Sequence, residues 1–373
     1  MSIIQWLLMS LKSLVEIFWA SAVFNAAGTY EFDMTYLEDD KVFIAFKDSW
    51  DSSYWKCVVG TISWNSITYW AEYTFSAFTS TEIGCTKIDT NKVAILHGTW
   101  TTKVIVASIS WTVVTFWTAV EVNAEASDYW YSIIKVDTNK FALTYTHYYN
   151  SNAIRWYVIV WTVSWTTITA WTKYQFSWKC WGWTQIIEVA TNKIMVAYVD
   201  NNNSGRFSCQ VAEITWLVVG TYWSIVIPEW AQYAGWWSLI KATDNNVIIT
   251  FNISAELWAL TASVSWTTIT PWNWTKLVAS SASSSVTSDF YSVAKITTNK
   301  YMISVRFYNG TIYTWIAVIF TVSWSTVVVW TTEELTTSRL ERCRNMQVAD
   351  NKVMTIYHDY DNSHYGTWKM YTE

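Results

Sequence analysis

Glycine, proline and charged residues are all scarce in this sequence, and each deficit excludes a class of protein. Only 2 of the 373 residues are proline and 10 are glycine, while charged residues make up 14% of the chain. Collagen-like and disordered chains need many more of these residues, so both classes are excluded. No run of about 18 apolar residues is free of polar interruption, which argues against a membrane-spanning helix. The 52% of residues that are hydrophobic must instead be buried against one another in a folded core.

Basic runs and cysteine pairs are missing as well. The formal net charge is −5, and no stretch of lysine and arginine offers the basic surface that a nucleic-acid backbone requires. We therefore expect no nucleic-acid partner. The five cysteines form no Cys-x-x-Cys pair and are odd in number, which predicts buried free thiols rather than a zinc ribbon or a disulfide framework. They are Cys57, Cys85, Cys180, Cys209 and Cys343. We expect no metal and no cofactor.

Residues 1–22 share some features with a secretory signal peptide, since the segment is largely apolar and ends in Ala-Ser-Ala. Lys12 and Glu16 interrupt the apolar part, and no basic region precedes it. We interpret the segment as part of the repeating fold described below. The compartment stays open, with a secreted, cell-surface or virion-associated location favoured over the cytoplasm.

An Asn-Lys turn followed by an alternating apolar run recurs along the chain. Successive copies are separated by roughly fifty residues, the length of one supersecondary unit. The seven copies are Asp40-Lys41-Val42, Asn91-Lys92-Val93, Asn139-Lys140-Phe141, Asn192-Lys193-Ile194, Asn245-Asn246-Val247, Asn299-Lys300-Tyr301 and Asn351-Lys352-Val353. The pattern predicts a repeat protein.

A second marker follows each of the first six copies, and it is a Ser-Trp or Thr-Trp pair leading into a β-branched run. The pairs are Ser63-Trp64, Ser110-Trp111, Ser164-Trp165, Thr215-Trp216, Ser265-Trp266 and Ser323-Trp324. A trailing tryptophan comes six residues after the first. The trailing residues are Trp70, Trp117, Trp171, Trp272 and Trp330, with Trp223 displaced by one position.

Each copy contains four segments with the period-two alternation of β-strands. In the third copy they run over Tyr129–Val136, Phe141–His147, Trp156–Ser164 and Thr166–Phe176. Asp-Thr-Asn-Lys suits the turn between the first two, because Asp and Asn tolerate left-handed φ. Four antiparallel strands repeated seven times predict an all-β, seven-bladed β-propeller. The second strands are predicted to form the core between blades, with Val42, Ile44, Val93, Ile95, Phe141, Leu143, Ile194 and Val196.

The last copy ends before its fourth strand, and a matching strand is found at the other end of the chain. Leu14–Phe24 resembles fourth strands such as Thr112–Val122. We predict that it completes the last blade and removes an open sheet edge. The predicted organisation is a lead-in at 1–13 and one propeller domain at 14–373, with blades at 25–75, 76–124, 125–177, 178–231, 232–279, 280–338 and 339–373 plus 14–24.

Thirty tryptophans accompany the glycine deficit, and some occupy positions that favour glycine. A two-residue hairpin turn needs φ > 0, where a bulky residue is an outlier, yet Trp165 and its repeat equivalents fall in such turns. Glycine and tryptophan also share aligned positions. One column, four residues before the Ser-Trp tryptophan, holds Gly60, Ala107, Trp161, Ala212, Ala262 and Phe320, and Tyr54-Trp55 aligns with Tyr365-Gly366.

Two interpretations of the tryptophans are open. They can form an aromatic belt that stacks on sugars, or they can mark UGA codons that the source organism reads as glycine. We hypothesise the second, because the tryptophans fall where turn sterics demand glycine.

With glycine at these positions, the repeat resembles the tandem propeller repeats of uncharacterised bacterial and phage proteins over Leu14 to Glu373. The resemblance implies a propeller fold and a tendency to bind, with no catalytic residues to transfer. The Gly-His and Trp-Asp pairs of WD40 blades and the double glycine of kelch blades are absent. Residues 363–368 are distantly similar to the aspartate box of sialidase-like propellers, without its Asp.

The loops after the second strands vary most between copies, and in a propeller they share a face with the connections between blades. Such loops on a rigid scaffold commonly bind ligands, although the same residue types also simply form turns. The candidate ligand-binding residues are Asp48, Asp51, Tyr54, His147, Tyr149, Asp200, Asn202, Tyr308, Asn309, His358, Asp359, Asp361 and His364. We predict a non-enzymatic module that binds a glycan or protein or serves in assembly. The alternatives are a glycoside hydrolase or lyase with paired carboxylates at the central channel, and a purely structural scaffold.

Overall fold

The computed structural model describes most of the chain. The described residues are 17–18, 21–38, 40–64, 66–77, 82–98, 101–122, 132–150, 153–177, 180–200, 206–215, 218–219, 223–226, 237–265, 268–279, 285–286, 292–308, 310–323, 326–336 and 340–373. Within these ranges the regular secondary structure consists of β-strands and turns, with no helix. No helix in this part of the chain is long and apolar enough to cross a membrane.

The strands fall into groups that match the repeat copies. Before and in copy 1 they are β1 (Ile17–Phe18), β2 (Ala22–Tyr36), β3 (Lys41–Asp48), β4 (Tyr54–Ser63), β5 (Ser66–Tyr69) and β6 (Tyr73–Ser76). Copy 2 contains β7 (Glu82–Asp89), β8 (Lys92–Gly98), β9 (Thr102–Ser110), β10 (Val113–Phe116) and β11 (Val120–Glu121). Copy 3 contains β12 (Ser132–Asp137), β13 (Lys140–Asn150), β14 (Ala153–Ser164), β15 (Thr167–Ala170) and β16 (Tyr174–Ser177). Copy 4 contains β17 (Cys180–Ala190), β18 (Lys193–Asp200), β19 (Arg206–Thr215), β20 (Val218–Val219) and β21 (Trp223–Val226).

The remaining copies follow the same order. Copy 5 contains β22 (Trp237–Thr243), β23 (Asn246–Ile253), β24 (Glu256–Val264) and β25 (Ile269–Val278). Copy 6 contains β26 (Ser285–Val286), β27 (Ser292–Lys295), β28 (Lys300–Tyr308), β29 (Tyr313–Ser323) and β30 (Thr326–Thr336). Copy 7 contains β31 (Leu340–Ala349), β32 (Lys352–Asp359) and β33 (Tyr365–Thr372).

Copies 2 to 6 each form a separate antiparallel sheet, whereas copies 7 and 1 share one sheet through the long strand β2. The first part of β2 pairs with β33, with Ala22 opposite Trp368. Its second part pairs with β3, with Tyr36 opposite Val42. The short strand β1 also pairs with β33. The segment expected to end at Phe24 therefore continues to Tyr36 and links the first copy to the last.

The fourth strand is divided in copies 1 to 3, where a single strand was expected. In copy 3 the predicted strand Thr166–Phe176 is wrong, because β15 and β16 pair separately with β14. The division falls at the trailing tryptophan. The backbone N–H of Trp171 donates to the carbonyl of Val160, and its indole N–H donates to the hydroxyl of Thr162 at 2.9 Å, after which the chain leaves the ladder. In copies 5 and 6 the fourth strand is continuous.

Five of the seven Asn-Lys turns adopt the expected left-handed geometry, and all seven share one hydrogen bond. The turn residues Asp40, Asn139, Asn192, Asn245 and Asn351 have φ between 55° and 65°. In all seven copies the carbonyl of this residue accepts a backbone N–H from the third strand or the residue that follows it. The donors are Ile62, Ile109, Val163, Ile214, Val264, Val322 and Glu373. The bond ties the turn to the middle of the sheet in every copy.

The core lies between copies rather than inside any one of them. The described residues contain seven hydrophobic clusters, and each is built from two neighbouring copies. The cluster between copies 7 and 1 contains Phe24, Phe46, Met354 and Trp368. The predicted core residues of the second strands are confirmed, since all eight are fully buried.

The first strands of the copies are β2, β7, β12, β17, β22, β27 and β31, and each contacts the next, while β31 contacts β2. Between several of them, a side-chain oxygen on one strand accepts a backbone N–H of its neighbour. Asp33 accepts from Cys85 at 2.7 Å, and Gln185 accepts from Leu239 at 2.8 Å. All seven strands line a single cavity of about 340 Å³, so polar residues on these strands serve to join the copies around it.

Candidate functional site

The loop of copy 1 uses its two predicted aspartates internally. Asp48 is buried, and its Oδ1 accepts the backbone N–H groups of Trp50 at 3.0 Å and Asp51 at 3.2 Å. Nζ of Lys56 lies 2.8 Å from a carboxylate oxygen of each aspartate. Burial lowers the pKa of Lys56, but the hydrogen bonds that its ammonium donates to Asp48 and Asp51 raise it above its ordinary value. These carboxylates therefore shape the loop and hold a lysine.

The loop of copy 7 brings two predicted histidines into contact. Nδ1 of His364 lies 2.8 Å from Nε2 of His358, and the rings are stacked with centroids 4.9 Å apart. His358 is fully buried. Burial, with added repulsion from His364 and Arg342, lowers the pKa of His358 to about 4. At neutral pH His358 is therefore uncharged, and one of the two rings donates a hydrogen bond to the other.

Strand β2 adds an aromatic ring to this pair that sequence analysis did not select. The ring centroid of Tyr30 lies 5.1 Å from that of His358 and 5.5 Å from that of His364. Tyr360, in the same loop as the histidines, packs edge-on against His364 at 4.2 Å. Tyr30 comes into position because β2 runs between copies 7 and 1.

Trp50 extends the cluster onto the loop of copy 1. Its ring packs edge-on against Tyr365 at 5.8 Å, and its side chain is 62% exposed. The loop is held down by Ser49, whose backbone N–H and hydroxyl both donate to the carbonyl of Gly28 at 2.8 Å. Gly28 must be glycine for this approach, because a Cβ there would lie 2.2 Å from Oγ of Ser49.

The neighbouring loop of copy 6 also presents aromatic rings. Tyr308 and Tyr313 lie 4.8 Å apart, and the guanidinium of Arg306 lies over Tyr313 at 4.2 Å. We call the exposed rings on this face the aromatic arc. Its members are Tyr30, Trp50, Tyr308, Tyr313, Tyr360 and His364.

The remaining predicted residues lie apart from the arc or have a structural partner. Asp359 accepts the backbone N–H of Asn362 at 3.3 Å and so stabilises its own loop, and Asp361 is exposed in that loop. Tyr54 begins β4, His147 is buried in copy 3, and Asp200 ends β18 in copy 4. The predicted residues Asn202 and Asn309, and the side chain of Tyr149, lie outside the described residues.

No protein-family model matches the chain, and no curated protein sequence matches it. Solved structures do. The BP39L lectin from Burkholderia pseudomallei matches with a TM-score of 0.61 at 10% identity, over 92% of this chain and 98% of its own. The NanB sialidase from Streptococcus pneumoniae matches with a TM-score of 0.52 at 9% identity, over 98% and 72%. Sqt1 from Saccharomyces cerevisiae matches with a TM-score of 0.54 at 8% identity, over 95% and 88%. The chain has a propeller-like, all-β fold. At these identities the likeness concerns the fold alone.

The central cavity of this propeller-like fold carries charged residues that sequence analysis missed. In this cavity Arg344 lies 3.7 Å from Asp33. On the same two strands Arg342 forms an ion pair with Glu31. Burial raises the pKa of Asp33, although Arg344 and the N–H of Cys85 oppose the shift. The signal was present as Glu31-Phe32-Asp33 and Arg342-Cys343-Arg344, whose alternation places the charges on one side of each strand.

The described part of the chain contains no cluster of side chains suited to binding a metal ion. No three His, Cys, Asp or Glu side chains there come close enough together to hold an ion.

His97 is a buried imidazole outside the arc, and it predicts a pH dependence of stability. Burial, with a smaller contribution from Lys103, lowers its pKa from 6.5 to about 4. The unfolded state therefore binds more protons between these pH values, so the free energy of unfolding falls as pH drops through that range. Its repeat equivalents include Phe46, Tyr145 and Phe251, which suggests His97→Phe as a compatible substitution.

Between neutral pH and about pH 5, the wild type should lose about 2 kcal/mol of its free energy of unfolding through His97. We expect His97→Phe to remove this loss. Urea denaturation of both proteins across the range measures the effect. Equal pH slopes would show that His97 does not carry the shift.

Proposed function

We propose that the chain is a non-enzymatic glycan-binding module whose ligand stacks on the aromatic arc. The arc is the observation that carries this proposal, because rings from separate segments of the chain converge on one face. Tyr30, Trp50 and Tyr360 are 40%, 62% and 38% exposed. Leaving such large apolar rings in water is unfavourable unless a partner covers them, and sugars offer apolar faces together with hydroxyls.

Polar groups suited to sugar hydroxyls surround these rings. His364 is partly exposed, and its stacking on His358 fixes the orientation of its ring. The phenol hydroxyls of Tyr30 and Tyr360 can donate or accept hydrogen bonds, and Asp361 can accept them. An uncharged His358 and mostly engaged carboxylates favour a hydroxyl-rich ligand over a strongly charged one.

We also propose the finer architecture, a closed seven-bladed propeller in which the N-terminal strand completes the last blade. The pairing of Ile17 with Thr372 and of Ala22 with Trp368 supports closure. The seven turn bonds, the seven clusters between copies and the mutual contacts of the first strands support the blade count. We further propose kinship with the tandem propeller repeats of uncharacterised bacterial and phage proteins.

One similar structure is a lectin and another is a sialidase, so the structural comparisons are consistent with a glycan ligand. They do not decide between glycan binding and glycan hydrolysis. The common two-carboxylate mechanism of glycoside hydrolysis needs carboxyls that are available as acid and nucleophile or base. Asp33 in the central cavity and Glu31 on the same strand each face an arginine, which argues against that mechanism.

A glycan array probed with the labelled chain tests the proposal. Trp50→Ala and Tyr360→Ala should each weaken binding to the recognised glycans by about tenfold, as expected for the loss of one stacking ring. Trp165→Ala is the matched control, because Trp165 is 90% exposed in a turn at the opposite end of its sheet.

Retained binding in both arc variants would overturn the proposed site. Binding lost only in Trp165→Ala would place the ligand on the other face. Mass spectrometry of the recognised glycans after incubation completes the test, because shortened products would replace the binding module with the glycosidase alternative.

A further inference from the structure

A second cavity lies between copies 5 and 6, at the end of the sheets that carries the Asn-Lys turns. It has a volume of about 310 Å³, near the lower end of the range of ~300–1,000 Å³ found for small-molecule sites. We call it the 5/6 cleft. The polar and aromatic lining of the cleft includes Thr243, Asn246, Thr261, Trp272, Asn299 and Ser323. The aromatic arc lies at the other end of the sheets.

Thr261 lies in the wall of this cleft, and it differs in type from the residues at the equivalent position of the other copies. The strand registers place it in the same position as an aliphatic or thioether side chain in every other copy. The equivalents are Val59, Val106, Val160, Val211, Ile319 and Met370. Thr261 is 3% exposed, and its Oγ1 has no hydrogen-bond partner among the described residues. A buried hydroxyl without a partner is unfavourable, so a ligand that supplies one is favoured at this position.

Trp272 departs from the repeat in a related way. The trailing tryptophans Trp70, Trp117, Trp171 and Trp330 each donate the indole N–H to a hydroxyl nine residues earlier, at 2.8–3.1 Å. The residue nine positions before Trp272 is Ser263, and the described structure contains no such bond between them. The indole N–H of Trp272 is therefore not used in the bond that its repeat equivalents make, and Trp272 lines the cleft.

The chemistry of the lining selects a neutral, hydroxyl-rich molecule. The side chains facing the cleft are hydroxyls, amides, aliphatic groups and aromatic rings, and none of the lining residues is charged. Nδ2 of Asn246 donates to Oγ1 of Thr243 at 2.8 Å, which orients both groups at the rim. An indole beside hydroxyls and amides matches the apolar face and the hydroxyl edge of a pyranose.

We infer that the 5/6 cleft is a second binding site that takes one neutral sugar residue, stacked on Trp272 and hydrogen-bonded to Thr261. The corresponding cavity between copies 7 and 1 has a volume of about 330 Å³. Its lining includes Asp40 and Lys352, and Met370 stands at the position equivalent to Thr261. Of these two clefts, only the 5/6 cleft combines an uncharged lining with a buried hydroxyl that has no hydrogen-bond partner among the described residues.

Methyl-labelled threonine makes the cleft directly observable by NMR. The full chain is labelled at the threonine methyl groups, and the signal missing in Thr261→Val identifies Thr261. The probes are methyl glycosides of neutral hexoses, 6-deoxyhexoses and N-acetylhexosamines, added one at a time up to millimolar concentration. We expect at least one sugar to shift the Thr261 signal, and saturation transfer from the protein to that sugar to fall about tenfold in Thr261→Val.

Two further measurements exclude a folding artefact. Thr261→Val should raise the melting temperature, because it removes an unpaired buried hydroxyl and introduces the side chain that four other copies carry. Thr250→Val is the control, since Thr250 is a buried threonine of the same copy whose hydroxyl already donates to the carbonyl of Ser238. This control should leave the saturation transfer unchanged.

The inference is overturned if no glycoside shifts the Thr261 signal, which would mean that water alone occupies the cleft. Equal saturation transfer in the wild type and Thr261→Val would also overturn it. The Thr261 methyl group reports this cleft alone, so the result is distinguishable from success or failure of the aromatic arc.

Discussion

Replacing Phe24 with alanine is expected to lower the free energy of unfolding by about 3–5 kcal/mol. Phe24 lies on β2 and is 6% exposed. Its ring packs edge-on against Phe46 of copy 1 at 5.6 Å. It also rests directly on copy 7, because a Cβ at Gly366 would lie 2.4 Å from Cζ of Phe24. One ring therefore fills the space between the first and last copies.

Urea denaturation followed by circular dichroism measures this effect. Val23→Ala is the matched control, since Val23 is the adjacent residue and is 36% exposed. It should change the free energy of unfolding by no more than about 0.5 kcal/mol, as is usual for surface positions. Equal effects of the two substitutions would mean that the N-terminal strand does not hold the ends of the chain together.

The triple variant Trp64→Gly, Trp111→Gly, Trp165→Gly is expected to be more stable than the wild type by about 3 kcal/mol. The three residues have φ of 54° to 55° and are 83% to 90% exposed. In the left-handed region of φ, the Cβ of a non-glycine residue raises the energy of the backbone by about 1–2 kcal/mol, and glycine avoids this cost. The turns belong to three different copies, so the gains should be nearly additive.

Trp70→Gly is the control for this experiment, because it makes the same chemical change and should have the opposite sign. Trp70 is 39% exposed, lies outside the left-handed region, and donates its indole N–H to Thr61 at 3.1 Å. We expect it to destabilise the protein in the same urea measurement. Destabilisation by the three turn substitutions would show that the turn indoles have contacts worth more than the backbone strain.

The recoding hypothesis stays a prediction. Among the described residues, backbone sterics favour glycine at Trp64, Trp111 and Trp165, which have positive φ. They do not favour glycine at the trailing tryptophans whose indole N–H groups are bonded. Mass spectrometry of the protein from its native source, over peptides containing Ser63-Trp64 and Ser164-Trp165, should find glycine masses. Tryptophan masses there would contradict recoding and favour the aromatic-belt interpretation.

A shared column of glycine and tryptophan has a second explanation that sequence alone could not provide. Gly60 lies opposite Tyr69, whereas Trp161 lies opposite Ala170. A large side chain on one strand is thus matched by a small one on the next, which keeps the cross-strand volume similar. The alignment shows which residues share a column, but the partner across the sheet appears only when the register is known.

Much of the fold follows from turn chemistry and apolar alternation, which can be recognised directly in the sequence. The Asn-Lys turns were predictable because Asn and Asp tolerate left-handed φ, and the buried second strands because their apolar residues alternate. The division of the fourth strand was not predictable. The trailing tryptophan donates its indole N–H to the third strand both in copy 3, where the fourth strand divides, and in copy 6, where it is continuous, so this local pattern does not encode the division.

The site was predicted only where its residues are close in sequence. His358 and His364 share one loop, so their contact could be anticipated. Tyr30 joins them because β2 continues past its expected end, and this long-range feature has no signature in the repeat. Asp48 was selected by residue type, but Lys56 on the following strand makes it a structural group.

Disulfide trapping between β1 and β33 tests the proposed closure of the ring, in which the N-terminal segment pairs with the last copy and β2 carries Tyr30 to the candidate site. Ile17 and Thr372 are Cα partners in the register, so the double variant Ile17→Cys, Thr372→Cys should form an intramolecular disulfide on mild oxidation. The native thiols of Cys57, Cys85, Cys209 and Cys343 are buried, and the single variants are the controls. Peptide mapping should find the two introduced cysteines joined within a monomer. Free thiols, or disulfides only between chains, would contradict the closed ring and the site built on it.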